Sequence, residues 1–169
     1  MKKEIPYIEA KAIADKIVEL LKPHCLRIQI AGSIRREKEI VGDIEIVCIT
    51  KPYETGLFED GFASVVNQWQ KIKGELKYGE TKYTKRILPE GIQLDLFIAE
   101  EGNWGSILAI RTGSADYSHK VLASGWVARG YKSIGGYLIQ NGKTYEVREE
   151  KDLFDRLGIP YTEPKDRNL

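Results

Sequence analysis

Along the first half of the chain, Ala10, Ile13, Ala14, Ile17, Leu20 and Leu21 recur at steps of three and four residues. This period predicts an amphipathic helix over 7–21, ended by Pro23. Leu26-Arg27-Ile28-Gln29-Ile30 then alternates as a half-buried strand and runs into Gly32-Ser33. A charged turn over 35–39 separates it from a second strand over 44–50. A helix over 58–72, a polar hairpin over 76–88 and a strand over 93–98 complete this half. After residue 101 the composition shifts. Residues 103–110 and 117–129 read as helices broken by Thr112-Gly113-Ser114, and 131–134 and 137–140 as short extended runs. Asn141-Gly142 is a hairpin-turn pair leading into 143–147. A last helix over 149–157 precedes a tail containing proline. The pattern predicts an α/β unit over 1–101, then a smaller α+β unit over 102–169, without a flexible tether.

Composition narrows the function classes. No apolar run nears the roughly 20 residues that span a bilayer, and the N-terminus has no signal-peptide core. A soluble, cytoplasmic, monomeric protein is the expectation. Cys25 and Cys48 both sit in apolar surroundings and read as buried thiols. Trp69, Trp104 and Trp126 read as packing residues rather than base-stacking platforms. Lys and Arg number 26 against 25 Asp and Glu, a net charge of +1. That balance lacks the basic excess of a protein gripping long duplex DNA, so nucleic acid is expected to bind locally and weakly.

The candidate chemistry lies at two strands. Asp43 and Glu45, two residues apart, point from one face of a strand, and Asp95 sits within another apolar strand. Three carboxylates facing one cleft repel unless a cation neutralises them, and hard oxygen donors suit Mg²⁺ or Mn²⁺. Two ions roughly 3.5–4 Å apart would stabilise both the attacking and the leaving oxygen of an in-line displacement. For Asp43 and Glu45 alone, a wet strand face is the commoner explanation. The preceding Gly32-Ser33 shifts the balance, because a strand-end glycine admits a phosphate to backbone N–H groups and a serine adds a donor. Arg35 and Arg36 follow and could pair with triphosphate oxygens.

Gly32-Ser33-Ile34-Arg35-Arg36, with Gly42-Asp43-Ile44-Glu45, resembles the signature of the DNA polymerase X family. Further likenesses follow in order: Ile5-Pro6, Leu94-Asp95-Leu96, Thr112-Gly113-Ser114, the segment 149–154 and the ending 161–167. The resemblance implies an α/β nucleotidyltransferase palm with a mixed sheet and flanking helices, followed by a small α+β thumb-like subdomain. It implies that Asp43, Glu45 and Asp95 are catalytic and hold two Mg²⁺ ions, with Asp95 helping to deprotonate a 3′-hydroxyl. Gly32, Ser33, Arg36 and Gly42 would bind the nucleotide's phosphates. Thr112, Gly113 and Ser114 would line its sugar pocket, with Asp116, His119 and Lys120 along a helix facing the base. The implied activity adds a nucleoside monophosphate from a (d)NTP to a primed or gapped DNA end, releasing pyrophosphate, as in DNA repair. The chain departs from the family pattern at Glu45, normally aspartate, at Gln93, commonly arginine, and at Ile110-Arg111, an aromatic pair. Because the chain starts at the palm, the family's lyase and helix-hairpin-helix domains are expected to be absent. Untemplated transfer to RNA or another acceptor, and non-catalytic nucleotide or DNA binding, are the alternatives.

Overall fold

A computed structural model of the chain describes residues 2–52, 61–77 and 80–169. The first unit runs β1 (Ile5–Pro6), α1 (Tyr7–Leu21), β2 (Cys25–Ile30), α2 (Gly32–Arg35), β3 (Ile40–Val41) and β4 (Asp43–Thr50). It continues with α3 (Gly61–Val66), β5 (Gln70–Lys73), β6 (Tyr83–Ile87) and β7 (Gln93–Ile98). Pro6 caps α1 in an extended conformation, and Pro23 falls in the 3₁₀ turn that follows the helix. The buried face of α1 is Ala10, Ile13, Ala14, Ile17 and Leu21.

Five strands form a mixed sheet in the order β2-β4-β7-β6-β5, with β4 and β7 parallel and the other pairs antiparallel. The middle strand β4 is covered on both faces. Ile44, Ile46 and Cys48 pack in the cluster that contains α1, while Val47 and Ile49 pack with Trp104 and Leu108. Leu21, Ile44, Ile46, Leu94 and Leu96 are fully buried, each contributing about 1.5–3 kcal/mol relative to exposure.

The helix expected over 58–72 is not a single element. Residues 58–60 lie outside the described residues, Gly61–Val66 is helical, and Gln70–Lys73 is a strand. The hairpin expected over 76–88 is also displaced, because β6 turns back onto β5 rather than onto residues near Leu76. Pairing with β6 outweighs the weak helical period of 58–72, an example of tertiary context overriding local pattern.

The second unit comprises α4 (Trp104–Thr112), α5 (Ala115–Tyr117), a π-helical stretch (Ser118–Ala123) and α6 (Ser124–Ala128). Then come β8 (Lys132–Ile134), β9 (Tyr137–Gln140), β10 (Lys143–Tyr145) and α7 (Glu150–Leu157). The expected Asn141-Gly142 turn joins β9 to β10, with φ of 52° and 75° at the two residues, the left-handed pair that a two-residue hairpin requires. The core here is Ala109, Tyr117, Leu122, Leu138, Val147, Leu153, Phe154 and Leu157. Helix α4 serves both units: Trp104 and Leu108 pack on the large sheet, and Ala109 packs in this second cluster. The fold is thus mixed α and β, with a mixed sheet and flanking helices. Cys25 and Cys48 are buried free thiols, and Trp69 and Trp104 are buried packing residues. Among the described residues, no helix is long and apolar enough to cross a membrane.

Charged pairs join the units. Arg27 meets Glu149 through two bonds of 2.7 and 2.8 Å. The Arg35 guanidinium donates to Glu150 at 2.6 and 2.9 Å and to Thr112 Oγ1 at 2.8 Å. Glu150 also accepts from Arg167, whose side chain is completely buried. Arg35, expected to reach for phosphate, is therefore committed to the junction, where burial makes an unpaired charge costly.

Candidate active site

Residues 43, 45, 47 and 49 alternate onto one face of β4, and α4 covers only the Val47–Ile49 end of that face. The other end carries the carboxylates. Parallel pairing of β4 with β7 sets Asp43 opposite Gln93 and Glu45 opposite Asp95. The structure thus brings the three expected carboxylates to neighbouring positions at the strands' N-terminal ends.

Each has an internal partner or a shaped recess. Asp43 accepts from the Lys2 ammonium at 2.9 Å. Asp95, only 5% exposed, accepts from the Tyr83 hydroxyl at 2.5 Å and from Gln93 Nε2 at 2.9 Å. Burial and this bond to Asp95 hold the Tyr83 phenol above its usual range. Glu45 occupies the space that Gly32 leaves open: a β-carbon at residue 32 would stand 2.0 Å from Glu45 Oε2. Gly32 also has φ of +60°, so glycine is required there on two counts. The longer acid at 45 and the glycine at 32 fit as a pair.

Burial, followed by the neighbouring Asp43 and Asp95 charges, pushes the Glu45 carboxyl up to about 7, and Arg111 and Arg36 oppose that rise. A carboxyl raised in the folded state binds its proton more tightly there. Its stabilising contribution is therefore full below the ordinary value of 4.5 and is lost as pH rises through about 7. Glu45→Gln is expected to stabilise the metal-free protein at pH 8 by about 2–3 kcal/mol, and by far less at pH 5. Thermal denaturation with a chelator at the two pH values checks this, and equal shifts at both would contradict it.

The phosphate-side residues are only partly free. Ser33 Oγ is buried without a hydrogen-bond partner. Arg36 donates to the Thr112 carbonyl and to Asn168 Oδ1, both at 2.9 Å, and burial holds its guanidinium below the usual range. Gly42 lies beside Lys2. Thr112 and Gly113 are buried, and Ser114 caps the next helix by accepting from Tyr117 N. His119 is exposed and Asp116 pairs with Lys120 at 3.9 Å; no bond joins these three residues to the carboxylates.

Among the described residues, no group of three or more His, Cys, Asp and Glu side chains is gathered closely enough to hold a metal as it stands. Two observations nevertheless match the chemistry of a hard cation with bound phosphate: the placing of Glu45 opposite Asp95, two residues along from Asp43, and the orphaned hydroxyl of Ser33. Pattern reading missed Tyr83 and Lys2, whose roles depend on strand register and tertiary contact, for which a single sequence carries no local signal.

Residues 108–168 match the DNA polymerase beta thumb family, so this part of the second unit is similar to a thumb of that kind. The match begins within α4 and leaves the carboxylate-bearing strands outside it. No curated protein sequence matches the chain.

Proposed function

We propose that the chain is a metal-dependent nucleotidyltransferase resembling a minimal DNA polymerase beta, acting on a primed or gapped DNA end in repair. The observation that carries this reading is the pairing of Glu45 with Asp95, beside Asp43 and the unpartnered Ser33 hydroxyl. The polymerase-type thumb adjoining it supports DNA as the partner. Asp43, Glu45 and Asp95 would hold two Mg²⁺ or Mn²⁺ ions, which supply charge neutralisation and stabilise the attacking and leaving oxygens. The chain's own residues place the reactants. Gly32 and Ser33 receive the phosphate end of a (d)NTP, with Gly42 leaving the approach to Asp43 free of a side chain and the free edge of Arg36 nearby. Thr112, Gly113 and Ser114 bound the sugar side, with Asp116, His119 and Lys120 further along the same segment. The acceptor's 3′-hydroxyl oxygen forms a bond to the α-phosphorus as the bond to pyrophosphate breaks, and the hydroxyl proton passes to Asp95. Lys2, Tyr83 and Gln93 must release the carboxylate oxygens they engage in the metal-free chain.

That engagement favours a second reading, a non-catalytic DNA-binding module, because both Asp95 oxygens are already satisfied. One experiment separates the two. The protein is incubated with each NTP and dNTP, with Mg²⁺ or Mn²⁺, and with gapped DNA, a single-stranded primer or RNA. Template-matched extension is the expected result. Untemplated addition would redirect the reading to another acceptor, and binding of DNA without transfer would leave the module alone standing.

A further inference from the structure

Four arginines lie at the junction of the two units or beside the carboxylates, and they differ in what they have left to give. Arg27 and Arg35 are spent on Glu149 and Glu150, and Arg36 uses two of its nitrogens on Thr112 and Asn168. Arg111 is different. It lies in the last turn of α4, at the rim where that helix stops covering the sheet face, and it is exposed. Among the described residues its guanidinium makes no hydrogen bond or ion pair, yet its position is fixed. Its Cζ stands 4.2 Å from the centroid of the Phe97 ring, and Phe97 stacks on Tyr83 at 5.0 Å. Tyr83 in turn donates to Asp95. An aromatic pair therefore ties this guanidinium to the third carboxylate.

We propose that Arg111 is a phosphate-binding residue of the site, receiving the triphosphate chain of the nucleotide on the edge of its guanidinium. The ring of Phe97 takes up the flat face of the group. The in-plane N–H donors remain, in the fork geometry that matches two phosphate oxygens. A polyphosphate entering over three carboxylates needs a cation that those carboxylates have not already bound. Arg111 meets that need, and it lies close enough for its charge to act on Glu45. The inference rests on the triphosphate-binding reading above.

The test is equilibrium binding with Ca²⁺ in place of Mg²⁺, so that ligand is held without turnover. ATP, dATP and inorganic triphosphate are titrated into the parent protein, Arg111→Gln and Arg111→Lys. Arg111→Gln is expected to weaken all three ligands by roughly 10- to 100-fold. Arg111→Lys should lose less, because it keeps the charge but not the fork. Melting temperatures should stay close to the parent's, since no protein hydrogen bond is removed. Equal affinities in the parent and Arg111→Gln would overturn the inference and leave the proposed function intact. A loss seen with ATP and dATP but absent with inorganic triphosphate would place the guanidinium on the nucleoside and also overturn it. If the parent binds none of the three, both readings fall.

Discussion

Asp95→Asn is expected to lower nucleotide transfer by at least about 10³-fold while changing triphosphate affinity by no more than a few-fold. The asymmetry follows from where the residue sits. Asp95 lies in the N-terminal half of β7, bonded to Tyr83 and Gln93, with β4 between it and the glycine-serine turn that would take the phosphates. Asparagine keeps the volume and can still accept from Tyr83, and Gln93 can turn its amide to accept in place of donating. The fold is thus retained while a negative ligand and proton acceptor is lost. Asp95→Ala should abolish transfer equally, with some added loss of stability from the emptied site. Single-turnover kinetics and equilibrium binding, run on the same preparations, separate the two effects. Retained transfer in either variant would remove Asp95 from the proposed chemistry, and with it the pairing on which the functional reading rests.

The largest effect on stability is expected at the junction of the two units. Among the described residues, Glu150 is the only carboxylate bonded to both Arg35 and Arg167, and its side chain is 8% exposed while that of Arg167 is 0% exposed. Glu150→Ala leaves two guanidiniums facing each other in a buried site, which costs about 3–5 kcal/mol. For a chain of this size that corresponds to a melting temperature lower by roughly 10 °C. Combining Glu150→Ala with Arg167→Met should recover part of the loss, because one uncompensated charge goes with it. The exposed pair Lys11–Asp15 provides the contrast: Asp15→Ala should change stability by less than about 0.5 kcal/mol. Denaturant unfolding of the four proteins measures all these values. Similar losses for Glu150→Ala and Asp15→Ala would mean that the buried cluster contributes no more than a surface pair.

The elements legible in the sequence are those whose cause is local. The three- and four-residue period of α1 and the alternation of β2 needed only their own neighbours to be read. So did the Asn141-Gly142 turn, because its left-handed backbone belongs to those two residues. The candidate site was legible at Asp43, Glu45 and Asp95 because strand periodicity assigns their direction, although their proximity depends on the β4–β7 pairing. The β5–β6 hairpin was not legible, since Gln70–Lys73 is extended only by virtue of its partner strand. Arg35 misled for a related reason. Its sequence neighbours suggest phosphate, while its actual partner lies 115 positions away. Glu45 looked like a departure in isolation; beside Gly32 it fills a recess made for it.

Lys2 reaches Asp43, and Asn168 reaches Arg36, so both ends of the described chain lie against residues of the candidate site. Where a laboratory attaches an affinity handle or a fluorophore is therefore not neutral for this protein. Appended at either end, it would compete for the groups whose chemistry is being measured, and a weak activity could be mistaken for none. The Asn141-Gly142 hairpin offers a safer position, with both residues exposed and no atom within 4 Å of where a side chain on Gly142 would begin.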